Sequence, residues 1–140
     1  MRVFILALCA CILSGCGQSN PYAPVPVTGT VTYEDGSSVP VPSMKLFFAP
    51  QAAPIDTKTF PRKGVADVGA DGSFSEATTY KFGDGLIPGE HKVTVVAYEG
   101  SGSGVQGLSP KVPKEYTNGA TTPLIVDTAE LPLHIKIRKP

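Results

Sequence analysis

From Val27 onward, apolar and polar positions alternate with period two, in short runs separated by Gly, Pro and Asp. That pattern predicts β-strands, because successive strand side chains point to opposite faces. In residues 27–33, Val27, Gly29, Val31 and Tyr33 share one face, while Thr28, Thr30 and Thr32 share the other. Glu34-Asp35-Gly36-Ser37 is a turn, its Asp-Gly pair supplying the positive φ of a tight hairpin. Val39-Pro40-Val41-Pro42 reads at most as an edge, since proline donates no ladder bond. Residues 44–49 form the next strand, with Met44, Leu46 and Phe48 on one face. Residues 50–64 show no period and read as a loop. A short strand over 64–68 then turns at Ala70-Asp71-Gly72, and residues 73–79 are expected back as its hairpin partner, anchored by Phe74 and Ala77. Residues 91–98 make the strongest strand, apolar on both faces and therefore expected mid-sheet. Residues 124–127 and 133–138 close the chain; Leu133, Ile135 and Ile137 point inward, and His134, Lys136 and Arg138 outward. This makes seven strands, or eight with the proline edge, and no helix. An antiparallel β-sandwich is the expected fold.

The first 26 residues break this pattern. Met1-Arg2 carries one charge, and residues 3–13 are almost wholly apolar. As a helix that run would rise roughly 16 Å, too short for a hydrocarbon core of about 30 Å. A charged start, an apolar centre and small residues at the end describe an export signal over residues 1–15. The run ends in Leu13-Ser14-Gly15-Cys16, which resembles the bacterial lipobox. The resemblance implies cleavage between Gly15 and Cys16, and acylation of the Cys16 thiol, the nucleophile that takes the lipid. Several acyl chains make a durable anchor where one binds marginally. It also implies export to the envelope, and Gly17, standing where Asp would signal inner-membrane retention, points to the outer membrane. Residues 16–26 then read as the lipidated terminus and a Pro-rich tether. Extended, the tether would span roughly 30 Å.

Composition adds exclusions. Without residues 1–15 the chain has 12 acidic and 11 basic residues, a net charge of −1, so no basic field invites nucleic acid. Cys9 and Cys11 leave with the leader and the lipid consumes Cys16, so neither a disulfide nor a cysteine metal site is expected. Residues 27–140 suit one domain.

Within that domain, PVTGTVTYEDG (26–36), ADGSFS (70–75), GDGLIPGEHKVTV (83–95), VPKEYTN (112–118) and LPLHIKIRKP (131–140) are similar to segments of small bacterial lipoproteins. Their domains are described as carboxypeptidase regulatory-like or transthyretin-like. One departure is Val41-Pro42-Ser43-Met44, where the family commonly places Gly-Ala before the second strand. The resemblance implies a seven-stranded prealbumin-like, broadly Ig-like sandwich. It implies no activity, because fold alone does not confer function.

Catalytic templates fit poorly. Residues 102–107 match G-x-G-x-x-G, but Pro110 and Pro113 forbid the helix a dinucleotide fingerprint must open. His91 and His134 stand 43 residues apart with no further ligands in pattern, so no zinc or iron set is expected. The Tyr-Arg-Gly-Ser ending of transthyretin-like hydrolases is missing. Asp35, Asp71 and Asp84 each precede Gly and read as turn formers rather than calcium ligands. Glu90 and Glu115 would make an acid/base pair only if the fold joined them. No Ser lies in a G-x-S-x-G setting, and no nucleophile, base and orienter assemble. Tyr80, Phe82, Tyr98 and Tyr116 fall at or near strand ends. Aromatics there either stack on a glycan or protein partner or plug the sandwich ends, the second being the simpler reading. The expectation is a non-enzymatic, cofactor-free, lipid-anchored structural or interaction module; a surface carbohydrate-binding module and an enzyme with an unrecognised site are the alternatives.

Overall fold

Seven strands make two sheets in a computed structural model that describes residues 20–100 and 107–140. The leader, the lipobox with Cys16, residues 17–19 and residues 101–106 of the Gly-rich loop lie outside the described residues. The strands are β1 (Gly29–Tyr33), β2 (Ser43–Pro50), β3 (Gly64–Val68), β4 (Ser73–Phe74), β5 (Glu90–Tyr98), β6 (Ile125–Asp127) and β7 (Leu133–Ile137). One sheet has the order β4-β1-β7, the other β3-β2-β5-β6. Among the described residues the one helical segment is a 3-10 turn, Lys114–Thr117, and no helix is long and apolar enough to cross a membrane.

Alternation sets the core. Val31 and Tyr33 of β1, Met44, Leu46 and Phe48 of β2, Val93, Val95 and Ala97 of β5, and Leu133, Ile135 and Ile137 of β7 are all buried in one cluster. Phe48 and Phe74 meet between the two sheets, their rings 6.0 Å apart and tilted by 53°. Truncating a fully buried residue such as Leu46 to Ala would cost about 2–5 kcal/mol through lost transfer energy and a residual cavity. Gly29 occurs at an inward position because β1 runs close to its neighbours. A Cβ there would lie 2.3 Å from the Leu133 carbonyl oxygen and 2.6 Å from the Phe74 ring.

Two pairings depart from the alternation reading. β1 and β7 run parallel, in register from Gly29–Leu133 to Tyr33–Ile137, so the sandwich is not antiparallel throughout. Residues 73–79 do not return along β3. β4 instead pairs with β1 in the opposite sheet, and only Thr78 comes back, in a single bridge to Val65. The reason lies in spacing. Phe74 and Ala77 are both buried, yet they are three residues apart, which a straight strand would send to opposite faces. The chain bends between them, exposing Ser75 and Glu76. Val39-Pro40-Val41-Pro42 forms no strand, although Val39 is buried. β5 lies between β2 and β6, as its two apolar faces require.

Candidate functional site

The most elaborated end of the sandwich is the one where the described chain begins. Asn20 starts a turn: its Oδ1 accepts from the Tyr22 amide (3.0 Å) and its carbonyl from the Ala23 amide (3.0 Å). Ala23 takes a positive φ of 44°, a conformation that costs a non-glycine residue of order 1–3 kcal/mol and persists only where neighbours enforce it. The Tyr22 ring stacks on Tyr80, centroids 6.5 Å apart. Its hydroxyl donates to the Thr59 carbonyl (2.9 Å) and accepts from the Ile55 amide (3.3 Å). Val25 then pairs with Leu86 through two backbone bonds of 2.8 and 3.0 Å. Residues 20–26 therefore form a strap against the domain. The extended spacer expected over residues 16–26 is not free at this part of its length.

Two loops receive the strap. In the first, the Asp56 carboxylate accepts from the Lys58 and Thr59 amides, both at 2.7 Å, and those bonds hold its pKa below the ordinary carboxylate value. In the second, Asp84 accepts from the amides of Thr79 (2.8 Å), Tyr80 (3.0 Å) and Lys81 (2.9 Å). Burial pushes the Asp84 carboxyl up, but the three amide bonds together outweigh it and hold the pKa low. Gly85 makes the close approach possible. It sits at φ +96°, and a Cβ would fall 1.8 Å from the Val25 carbonyl oxygen. Between strap and loops lies an open groove of about 550 Å³, bordered by Asn20, Pro24, Thr59, Tyr80, Lys81 and Asp84. The Arg62 guanidinium lies over the Tyr80 ring at 5.2 Å. The Tyr80 hydroxyl is buried and has no partner among the described residues.

The four aromatics singled out by sequence do not converge. Tyr80 and Phe82 belong to the strap end; Phe82 is 86% exposed. Tyr98 closes β5 at the opposite end, in register with Ser43. Tyr116 is buried in the core, its hydroxyl accepting from the Arg138 amide at 3.2 Å, so it plugs the sandwich and offers no surface. Tyr22 belongs to the strap end too, yet it sits in a Pro-rich segment without periodicity, and no sequence signal marked it.

Other candidates resolve into separate local roles. His91 faces inward on β5, edge-on to Phe48; its Nε2 lies 2.6 Å from the Ile87 carbonyl oxygen and its Nδ1 has no partner among the described residues. His134 is exposed on β7, its Nδ1 3.2 Å from Thr30 Oγ1. Asp35 and Asp71 each accept from the backbone and hydroxyl of the serine two residues on, closing their own turns. A bond from Lys139, and then those from Ser37, hold the Asp35 carboxyl well below the usual range. Glu90 opens β5 opposite Asp127, whereas Glu115 pairs with Arg138 and is held low by it. Among the described residues, no three His, Cys, Asp or Glu side chains lie together as metal ligands. Beside β5, the Ser109 hydroxyl donates to the Glu99 carboxylate at 2.5 Å.

No protein-family model, curated protein or solved structure matches the chain.

Proposed function

We propose that this chain is an envelope lipoprotein whose β-sandwich, of the transthyretin-like kind, serves as a structural or interaction module held at the membrane by acylated Cys16. The observation that carries the reading is the juxtaposition of Leu13-Ser14-Gly15-Cys16 with the strap. An apolar run ending in a lipobox-like tetrad is followed, four residues after Cys16, by a segment committed to the folded domain. A chain built this way delivers its domain to the lipid surface with little slack. The two-sheet, seven-stranded architecture and the segments from PVTGTVTYEDG to LPLHIKIRKP support the transthyretin-like assignment. A non-catalytic role is supported by the way the ionisable side chains near the strap are engaged: Asp56 and Asp84 bind backbone amides rather than one another.

The test is fractionation of cells making the full-length chain or its Cys16→Ser variant. The wild type is expected in the membrane pellet, extracted only by detergent, and the variant in the soluble fraction or as uncleaved precursor. Equal distribution of the two as processed chains contradicts the proposal.

The carbohydrate reading has less support. Tyr116 is buried, and Tyr80 is engaged by both Tyr22 and Arg62, leaving Phe82 and Tyr98 at opposite ends. A stacking platform for a sugar needs a free aromatic face.

A further inference from the structure

Large apolar side chains left in water on a small domain call for a reason when they gather in one place. Among the described residues six such side chains are exposed, and three of them, Ile55, Phe60 and Phe82, stand on the two loops that grip the strap. Phe82, at 86% exposure, is the extreme case. It occupies a corner of the Lys81–Asp84 turn, which is closed by the Asp84 amide donating to the Lys81 carbonyl at 3.0 Å. The Asp84 carboxylate bond to the Lys81 amide and the Gly83 amide bond to Thr78 Oγ1 hold the same turn from both sides. A phenyl ring held outward by a braced turn contributes nothing to the core it points away from.

The position of the chain terminus supplies what covers it. Asn20 borders the groove together with Lys81 and Asp84, which flank the Phe82 turn, and from Cys16 to Asn20 a fully extended chain spans at most about 14 Å. A lipid on Cys16 therefore keeps this end of the sandwich within reach of the headgroup layer. Resting on the lipoprotein reading above, we infer that the strap end is itself a bilayer-contacting surface, with Phe82, Phe60 and Ile55 entering the interfacial region of the lipid. Aromatic and aliphatic side chains gain there by leaving water, and the gain scales with the apolar area buried. Lys58, Arg62, Lys63 and Lys81 are exposed on the same loops and form no ion pair among the described residues. Asp56 and Asp84, on the same loops, are turned onto backbone amides. Glu76 lies beside Gly83 and tempers the local charge, so apolar insertion leads and electrostatic attraction assists.

The acylated mature protein has no free thiol, so single cysteines report position cleanly. Phe82→Cys, Phe60→Cys and Ser38→Cys, the last on the exposed β1–β2 connection at the opposite end, are each labelled with an environment-sensitive fluorophore. The acylated proteins are then reconstituted into phosphatidylethanolamine/phosphatidylglycerol vesicles. Blue-shifted emission and quenching by acyl-chain-brominated lipid are expected at positions 82 and 60 and not at 38. Water-like emission at 82 and 60 on vesicle-bound protein overturns the inference while leaving the anchor intact. Burial of the label at 82 that is unchanged in detergent micelles, or that tracks protein concentration, assigns the patch to another part of this chain or to a second copy and also overturns it. Failure of the anchor registers separately, as an unmodified Cys16 mass and protein that floats free of the vesicles. All three exposed positions tolerate substitution, which an unchanged unfolding midpoint checks.

Discussion

The rings of Tyr22 and Tyr80 lie nearly parallel, 12° apart in plane and 6.5 Å between centroids. One belongs to a segment without hydrophobic period, the other to a turn between β4 and β5. Their contact, together with the Val25–Leu86 bridge, converts residues 20–26 from a spacer into part of the domain. On the proposed Cys16 anchor, the distance between membrane and sandwich is governed by the few residues before Asn20.

Tyr22→Ala should loosen the strap without unfolding the sandwich. It removes an aromatic pair worth about 0.5–1.5 kcal/mol and a hydroxyl that bonds Thr59 and Ile55, each bond worth about 0.5–1.5 kcal/mol. Hydrogen exchange checks this directly. The Val25 and Leu86 amides should lose protection, while amides of β2 and β5 keep theirs.

Gly85→Ala and Gly36→Ala make a matched pair. Both glycines have positive φ, +85° at Gly36 and +96° at Gly85, but only Gly85 faces a backbone carbonyl. Gly36→Ala should cost about 1 kcal/mol or slightly more, the penalty of the left-handed conformation. Gly85→Ala should cost clearly more and release the strap, since the Val25 oxygen stands where the Cβ would go. Urea midpoints of the two variants, at equal slope, give the comparison.

Acid should weaken the strap loops. The Asp84 and Asp56 carboxyls have folded-state pKa values below their unfolded ones. A depressed carboxylate contributes stability that is complete above its unfolded pKa and is lost as pH falls through the folded value. Stability should therefore be flat near neutrality and fall once the pH drops below about 4. Asp84→Asn should lower stability at pH 7 by about 1–3 kcal/mol, as charge-assisted amide bonds are replaced by weaker ones. It should also flatten the acid limb, and a variant with the wild-type pH profile would remove Asp84 from the explanation.

The strands were readable from sequence because each buried face repeats every second residue: Val31 and Tyr33, Leu46 and Phe48, Val93 and Val95, Ile135 and Ile137 are all inward. Pairing was not readable to the same degree. Alternation fixes which face of a strand is buried but not which neighbour it takes. So the parallel β1–β7 pair, and the passage of β4 to the opposite sheet, came only from tertiary structure. Tyr116 followed the same rule. The aperiodic stretch around it gave no face, but the simpler reading of the four aromatics as plugs of the sandwich ends fits its burial. The strap was hidden for a different reason. A single Tyr between prolines has no period, and its partners Thr59 and Tyr80 lie 37 and 58 residues away in loops that are themselves aperiodic.

The proposed anchor rests on Cys16. The direct measurement is the intact mass of the N-terminal peptide released from the membrane fraction of cells expressing the full chain. It should begin at Cys16 and carry the added mass of a diacylglyceryl group on sulfur, with or without a further acyl chain on the amine. A mature chain that begins elsewhere, or that begins at an unmodified Cys16, would contradict both the anchor and the short reach built on it.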